Sequence, residues 1–327
     1  MAKLVKSGAE VFDYADVRLI PGQCVLTSRS EANTTVKFGD RTFEIPVVPA
    51  NMSTIIGEKL AFWLAHNGYF YIHHRFDVDP VDFTSKAHDA GFYSSISLGV
   101  KSDDVQAVHR LADAGQVPEY ITIDIAHGDA ATVTTMVRHI RQNLPATFII
   151  AGNIGTPEGV KRIEDSGAHA IKVGIGPGAA CLTAPQTGFG TRDWQLSALE
   201  WCANAADEAL IVADGGIRRN GDIAKSVAFG ADMVMVGSML SGHDENPGEI
   251  VEDEVGHKFV TYFGSASEFQ KGERKHVEGK KLLMPYKGSI AATLGEIRDN
   301  LQSAISYAGG RKLHDLRDVG YVKLDNQ

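Results

Sequence analysis

Short apolar runs recur along the chain about every 25 residues, and segments with helical periodicity lie between them. Each run is nearly continuous in Val, Ile and Ala, which is typical of parallel strands that are buried on both faces. These runs predict eight strands, at residues 45–51, 69–74, 94–100, 120–126, 147–153, 170–176, 209–216 and 233–238.

The segments between the runs predict helices, over residues 58–67, 103–114, 130–143 and 157–166, with a last helix over 289–308. Eight strand–helix units predict a closed (β/α)8 TIM barrel, an α/β fold whose catalytic loops follow the C-terminal ends of the strands. The rival architecture is an open doubly wound sheet. It is disfavoured because no GxGxxG segment follows the first strand with an acidic residue about 20 positions later.

Two regions interrupt this rhythm. Residues 1–44 precede the first barrel strand and predict an N-terminal extension with a small hairpin. Residues 242–288 separate the eighth strand from the last helix and are rich in Lys, Glu, Gly and Ser. Composition alone equally fits a solvated loop, but the position at the catalytic end of the barrel favours a mobile active-site flap. We therefore expect one catalytic domain over residues 1–327.

The composition is that of a globular protein, with 43% hydrophobic and 22% charged residues. A formal net charge of −9 argues against nucleic acid or an anionic membrane surface as the main partner. It does not exclude a small anionic ligand, because backbone N–H groups bind phosphate. The sequence contains neither a membrane-length apolar run nor the apolar core of a signal peptide. The widely spaced Cys24, Cys181 and Cys202 indicate reduced thiols in a cytoplasmic protein.

The segment GIGPGAACLT, at the end of the sixth predicted strand, is the main candidate for chemistry. Its alternating glycines free the backbone to point amides or carbonyls at a ligand or an ion. Cys181 follows them at the catalytic end of the barrel, where a thiolate can attack an electrophilic carbon, and Thr183 is close enough to relay a proton. A lone cysteine is usually a small buried hydrophobe, as we expect for Cys202, but the glycine loop favours a nucleophile here.

Two segments, KVGIGPGAACLT and IVADGGIRRNGDIAKSVAFGADMVMVGS, resemble the signature loop and the phosphate-binding segment of the IMP dehydrogenase/GMP reductase family. The resemblance extends from FDYADVRLIP through PVVPANMSTI to ISYAGG. Three features favour the reductase branch in its shorter bacterial form. The chain lacks the regulatory CBS modules of many dehydrogenases, and both TGFGTRDWQLSAL and YFGSASEFQKGERKHVEGKK resemble the reductases.

The resemblance implies an NADPH-dependent oxidoreductase that converts GMP to IMP and ammonia, with a role in purine salvage and in the balance of adenine and guanine nucleotides. It implies a covalent thioimidate on Cys181, with Thr183 and Glu278 moving the protons, and a homotetramer. Glu278 lies in a charged run, which taken alone indicates only a solvated carboxylate. A carboxyl group serves as general acid only where the closed site raises its pKa.

The family's substrate contacts fall on two strand ends and on the flap. Asp214 is expected to accept the ribose hydroxyls, and the turns after the last two barrel strands form the usual phosphate site of a barrel. The expected substrate-binding residues are Asp214, Gly215, Gly216, Gly237, Ser238, Gly264, Ser265, Ala266, Lys275 and Gly279.

The resemblance also implies contacts to the cofactor and to a potassium ion. Asp124 is expected beside the nicotinamide, although a carboxylate there also fits an ion pair at the barrel mouth. Arg29 suits the 2′-phosphate of NADPH and would reach a neighbouring subunit. The expected cofactor-binding residues are Ser28, Arg29, Asp124, Ile125, Ala126, Gly174, Ile175, Ser306, Tyr307 and Gly309. The carbonyls of Gly174, Gly176 and Cys181 match the family's potassium site.

Three positions depart from the family pattern. Ala179 stands where relatives have Ser or Lys, Lys275 where many reductases have Arg, and His74 where the animal-type enzymes have Lys. Two alternative functions remain open on sequence alone. One is an IMP dehydrogenase without CBS modules, and the other is a purine-nucleotide sensor that binds without turnover.

Overall fold

Strands and helices alternate along most of the chain. A computed structural model of the protein describes residues 10–264, 267–271 and 278–324. The strands are β1 (Val17–Leu19), β2 (Val36–Phe38), β3 (Arg41–Phe43), β4 (Val47–Pro49), β5 (Ser95–Leu98), β6 (Tyr120–Asp124), β7 (Phe148–Ile154), β8 (Ala170–Val173), β9 (Leu210–Asp214), β10 (Met233–Val236), β11 (Ile250–Glu252), β12 (Lys258–Phe263), β13 (Lys281–Pro285) and β14 (Tyr321–Lys323).

The five predicted helices are confirmed to within two residues at each end. The helices are α1 (Glu58–His66), α2 (Pro80–Asp89), α3 (Ser102–Asp113), α4 (Ala131–Asn143), α5 (Pro157–Glu164), α6 (Thr183–Thr187), α7 (Gln195–Ala205), α8 (Asn220–Ala228), α9 (Glu268–Lys271) and α10 (Ile290–Tyr307). Within the described ranges, no helix combines the length and the apolar character that crossing a membrane requires.

The central sheet contains β4, β10, β9, β8, β7, β6 and β5 in that order, and all its strand pairs are parallel. The first barrel strand, β4, is paired in parallel with the last, β10, as in a TIM barrel, and β4 and β5 are the two ends of the hydrogen-bonded order. Successive helices such as α3, α4 and α5 contact each other outside the sheet. The predicted α/β barrel is confirmed.

The second predicted strand is the exception, because residues 69–74 are extended but form no regular ladder. His73 donates its amide to the carbonyl of Ser95 at 3.0 Å, which places the segment beside β5. The amide of Tyr71 is bound instead by the hydroxyl of Tyr93, at 3.2 Å. A side chain thus takes the place of a ladder partner, which periodicity along the chain could not reveal.

The predicted N-terminal hairpin is observed as β2 and β3, which pair antiparallel. Phe38 of this hairpin is fully buried, and its ring lies 5.1 Å from that of Phe148 and 6.3 Å from that of Tyr120. Tyr120 and Phe148 are the first residues of β6 and β7. The hairpin therefore covers the N-terminal end of the barrel, opposite the end where catalytic loops lie in this fold.

The predicted insertion lies between β10 and α10 and contains an antiparallel sheet of three strands, β11, β12 and β13. Val260 and Tyr262 of the central strand, β12, are buried, whereas β11 is exposed along its length. The segment thus has regular structure and packs on the rest of the protein, because Tyr262 lies in one apolar cluster with Ile55 and Ala180. Its polar composition did not indicate this. We call residues 242–288 the flap.

Candidate active site

The C-terminal ends of the barrel strands surround a cavity of about 320 Å³. It brings together the predicted nucleophile, its two predicted proton carriers and the carboxylates that end β6 and β9. The lining residues selected by sequence analysis are Asp124, Ile125, Ala126, Gly174, Gly176, Cys181, Thr183, Asp214 and Glu278.

Three side chains of the cavity wall form a hydrogen-bonded chain. The Sγ atom of Cys181 lies 3.1 Å from the Oγ1 atom of Thr183, and the Thr183 hydroxyl donates to Oε2 of Glu278 at 2.5 Å. All three residues are partly buried. A thiol, a hydroxyl and a carboxylate in this order can pass a proton between the sulfur and the carboxylate.

Backbone pairing between the flap and the catalytic loop fixes the position of Glu278. The amide of Leu182 donates to the carbonyl of Glu278 at 2.7 Å, and the amide of Lys280 donates to the carbonyl of Ala180 at 2.9 Å. Between them, Gly279 forms an antiparallel bridge with the cysteine at position 181 and is buried. The flap therefore adds a short strand-like edge to the loop that holds the nucleophile.

The backbone of the catalytic loop requires glycine at two points. Gly174 has φ +144°, and a Cβ atom there would lie 2.1 Å from the carbonyl oxygen of Asp214. Gly176 has φ +71°, and a Cβ atom there would lie 3.3 Å from Sγ of Cys181. Both values lie in a region that residues with side chains rarely adopt, so these glycines let the loop pass close to β9 and to the thiol.

Asp124 and Asp214 both contact a buried lysine between them. The Nζ atom of Lys172 lies 2.7 Å from Asp124 and 3.2 Å from Asp214, and the lysine side chain is only 2% exposed. Asn153 donates to the same oxygen of Asp214 at 2.7 Å. The ion pair that sequence analysis considered for Asp124 is thus present, and Asp124 also lines the cavity.

The contact between Lys172 and Asp124 favours the charged form of both side chains. Burial alone lowers the pKa of Lys172, but the two carboxylates outweigh it and raise that pKa above its ordinary value. Burial alone raises the pKa of Asp124, but Lys172 outweighs it and the pKa falls below its ordinary value. The two carboxylates present acceptor oxygens at the cavity wall, which suits hydroxyl donors of a ligand.

Sequence analysis missed four residues at this site, namely Lys172, Asn153, Arg75 and Arg192. Lys172 is the only charged residue in the apolar run 170–176, and this signal could have found it, because a buried lysine needs anionic partners. The other three carry no such signal, since single polar residues near the ends of strands and helices are common on protein surfaces.

The predicted phosphate turns follow β9 and β10. Gly215 and Gly216 have φ +91° and +81°, and a Cβ atom at Gly215 would lie 2.9 Å from the ring of Pro177 in the catalytic loop. A Cβ atom at Gly237 would lie 2.7 Å from the hydroxyl of Tyr262 on the flap. Both turns therefore pack closely against the loop or the flap, with their backbone groups near the catalytic end of the barrel.

The remaining predicted substrate contacts are placed as follows. Ser238 begins a short 3-10 helix, Ser238–Leu240, and Gly264 follows β12. Gly279 is buried beside the nucleophile. Ser265, Ala266 and Lys275 lie outside the described residues.

The other predicted cofactor residues form a second cluster, outside the cavity lining. The guanidinium of Arg29 donates to the hydroxyl of Tyr307 at 3.2 Å, and its Cζ atom lies 5.1 Å from the centre of that ring. Ser28 caps the short helix that starts at Arg29, and Gly309 donates its amide to the carbonyl of Ser306. The structure therefore brings these residues of the two chain ends together, with Tyr307 58% exposed. Ile175 lies next to the cavity, between two of its lining glycines.

Arg75 gives the cavity an unused hydrogen-bond donor. Its side chain lines the cavity, and its Nε atom is buried with no hydrogen-bond partner among the described residues. A buried guanidinium N–H needs an acceptor, and the phosphate or carboxamide oxygens of a dinucleotide are acceptors of the right kind. The cavity therefore fits a nucleotide cofactor.

The carbonyls that the resemblance assigned to potassium have other partners. The carbonyl of Gly174 accepts from Asn153 at 2.6 Å. The carbonyls of Gly176 and Cys181 accept from the guanidinium of Arg192, at 3.4 and 2.8 Å. A guanidinium on these oxygens does not fit a bound cation, because like charges at this range repel. We derive no catalytic step through potassium. The described part of the chain contains no group of three His, Cys, Asp or Glu residues that could hold a metal ion.

Comparison of the sequence with known protein families and with individual proteins agrees with the barrel and its cysteine loop. The model of the IMP dehydrogenase / GMP reductase domain matches residues 11–325, so the chain belongs to this family. The chain is 61% identical to the GMP reductase of Ligilactobacillus salivarius over 317 residues, which cover 97% of each chain. It is 59% identical to the GMP reductase of Latilactobacillus sakei, over 96% of each chain, and 56% identical to that of Bacillus subtilis, over 97% of each chain. The family resemblance and the reductase branch inferred from sequence are confirmed.

Proposed function

We propose that the protein is a GMP reductase, an oxidoreductase that converts GMP to IMP and ammonia with NADPH. The observation that carries the proposal is the hydrogen-bonded order of Cys181, Thr183 and Glu278 at the cavity. It occurs in a chain whose relatives, at 56–61% identity over nearly their whole length, are named GMP reductases.

The proposed chemistry begins at the thiol. The sulfur of Cys181 bonds to C2 of the guanine ring, and the 2-amino nitrogen takes up a proton and leaves as ammonia, which gives a thioimidate. Glu278 provides this proton through the hydroxyl of Thr183, and the same pair accepts the thiol proton before the attack. Bound NADPH supplies a hydride to C2. The sulfur–carbon bond then breaks, which releases IMP and restores the thiolate.

The substrate is proposed to lie along the ends of β8, β9 and β10. Asp214, which contacts Lys172 next to the cavity, accepts hydrogen bonds from the ribose hydroxyls. The phosphate lies against the backbone of the two glycine turns, and the flap covers the purine. The proposed contacts are Gly215, Gly216, Gly237, Ser238, Gly264, Ser265, Ala266, Lys275 and Gly279.

The cofactor is proposed to use two surfaces. Its nicotinamide end lies beside residues 124–126 and the adjoining Gly174 and Ile175, where Arg75 offers its free donor. Its 2′-phosphate is bound by the cluster of Arg29 and Tyr307 from a neighbouring subunit of a homotetramer. We further propose that residues 1–327 form one catalytic domain. Its three free cysteines suit a reducing compartment such as the cytoplasm.

Incubation of the purified protein with GMP and NADPH tests the activity. We expect the absorbance of the reduced cofactor to fall while IMP and ammonia form in equal amounts. Cys181→Ser should lose at least about a thousandfold in turnover, since a hydroxyl is a far weaker nucleophile, and should bind GMP within about threefold of wild type. Cys202→Ala is the matched control, because this buried thiol lies in α7.

Two other results would replace the proposal. Oxidation of IMP with reduction of NAD, without reduction of GMP, would identify a dehydrogenase. Binding of GMP without oxidation of NADPH would identify a nucleotide sensor.

A further inference from the structure

The side chain of Arg192 binds backbone carbonyls of the catalytic loop. Its Nη2 atom donates to the carbonyls of Gly178 and Cys181, both at 2.8 Å, and its Nε atom donates to the carbonyl of Gly176 at 3.4 Å. Three carbonyl dipoles thus converge on one positive charge. Two of them, those of Gly176 and Cys181, are oxygens that the family resemblance assigns to a potassium ion.

The arginine is mounted on a turn that is fixed to the end of β8. The amide of Thr191 donates to the carbonyl of Ile175 at 2.8 Å, and the amide of Ile175 donates to the Thr191 hydroxyl at 2.9 Å. On the other side, the indole of Trp194 donates to the carbonyl of Gly190 at 2.8 Å. The turn is therefore attached to the β8 side of the barrel at Thr191 and closed on itself by Trp194, so the guanidinium is already in place before any ligand binds.

The charge of Arg192 is directed at these carbonyls rather than at an acid. Among residues 10–264, 267–271 and 278–324, no carboxylate forms an ion pair with it. The guanidinium of Arg192 has donors only and no acceptor. Its planar N–H groups reach several oxygens at once, which gives the loop a directional brace that a spherical ion does not provide.

We propose that Arg192 is a built-in cation that takes the place of a monovalent metal ion in the catalytic loop, so that the protein needs no potassium. Two unit charges about 4 Å apart near a protein surface repel strongly enough to weaken cation binding by about a thousandfold. The bound guanidinium would hold the loop closed and keep the sulfur of Cys181 next to Thr183. The inference rests on the proposed function only for its kinetic readout.

The wild-type protein provides the first test. Activity is measured with KCl, NaCl or choline chloride at equal ionic strength, after removal of potassium by dialysis. We expect the three rates to agree within about twofold, because the cation is part of the chain. Activation by KCl of more than about fivefold over choline chloride would overturn the proposal.

Arg192→Ala provides the second test. Without the guanidinium, three carbonyls lose a charged donor, and we expect the rate in choline chloride to fall by at least about tenfold. KCl or guanidinium chloride at millimolar concentration should restore part of that rate, because the carbonyls are then open to an added cation. Arg138→Ala, on the exposed face of α4, is the matched control and should respond to neither salt. A variant that keeps its full rate in choline chloride would refute the role of Arg192.

A binding readout separates this inference from the proposed activity. Thermal melting is compared in KCl and choline chloride for wild type and for Arg192→Ala. We expect KCl to raise the melting temperature of the variant alone. If the protein does not reduce GMP, this comparison still decides the cation proposal. Selective stabilisation of the wild type by KCl would overturn it even if GMP reduction is observed.

Discussion

At the scale of single residues, the contact between Thr183 and Glu278 carries most of the proposed chemistry. The two residues are 95 positions apart, and Glu278 lies in a charged run that gives no hint of a buried partner. Its carboxylate reaches Thr183 because the amide and carbonyl groups around Gly279 pair with the catalytic loop. A proton can therefore move between the flap and the thiol without a water molecule.

Glu278→Gln should slow the release of ammonia by about 10² to 10⁴-fold, because an amide keeps the shape but cannot exchange a proton. Hydride transfer should be less affected than in Cys181→Ser, since it does not need this carboxyl group. Single-turnover kinetics with rapid quench can measure thioimidate formation before the cofactor is oxidised.

The matched control for this prediction is Glu254→Gln, an exposed carboxylate of the same flap. Its rate should stay within about threefold of wild type, as expected for a weak surface charge. Ammonia release by Glu278→Gln at nearly the wild-type rate would transfer the role of proton donor to Thr183 or to a water molecule bound by it.

At the scale of elements, the close approach of β8 and β9 depends on one glycine. A Cβ atom at Gly174 would lie 2.1 Å from the backbone carbonyl of Asp214, and the φ of +144° disfavours a side chain in any case. A backbone atom cannot turn aside as a side chain does. Any larger residue must therefore push the end of β8 away from β9, and with it the catalytic loop.

Gly174→Ala should lower the free energy of unfolding by about 2–4 kcal/mol, from backbone strain and overpacking together. Gly178→Ala, in the same loop, should change it by less than about 0.5 kcal/mol, because a Cβ atom there meets nothing within 4 Å. Urea unfolding of both variants measures the difference. Equal stability of the two would contradict the close contact with β9.

In the segment 69–74, a side chain from another element determines the local backbone structure. Its composition favours a strand, yet the hydroxyl of Tyr93 binds the amide of Tyr71 and donates to the carbonyl of Tyr69. The phenol provides a donor and an acceptor where a ladder would use backbone groups. A single side chain from the next barrel unit therefore binds two backbone groups that regular pairing would otherwise bind.

At the scale of the whole molecule, the two chain ends meet near the second cluster of predicted cofactor residues. β1 pairs with β14, and the short helix at Arg29 contacts α10. Arg29 lies over the exposed ring of Tyr307, so that a guanidinium fork and an aromatic face are presented together outside the cavity. In the proposed function, this arrangement binds the adenosine end of a cofactor held by the cavity of another subunit.

Arg29→Ala should raise the KM for NADPH by about tenfold and leave kcat within about twofold, because the lost contact is a charged hydrogen bond to the 2′-phosphate. The KM for NADH should change less, and Arg138→Ala should change neither value. A wild-type KM for NADPH in Arg29→Ala would remove this residue from the cofactor site.

The proposed homotetramer predicts that sedimentation velocity finds four chains of 35.2 kDa in one particle.

The sequence by itself determined the barrel class, five of the helices, the glycine-rich cysteine loop and the hairpin. Each of these is encoded locally, in the period of apolar residues or in a short run such as GIGPGAACLT. The predicted strand ends also placed Asp124 and Asp214 at the catalytic end, because parallel strands of a barrel all finish on the same side.

The tertiary structure alone decided which groups become partners. Lys172 lies between two carboxylates from β6 and β9, and Thr183 donates a hydrogen bond to Glu278. Arg192 donates hydrogen bonds to carbonyls that the family resemblance assigns to a potassium ion. Each contact joins residues that are far apart in the chain or that meet only across a turn. The periodicity of apolar residues indicates which face of a helix or strand is buried. It does not indicate which polar groups the fold brings into contact with each other.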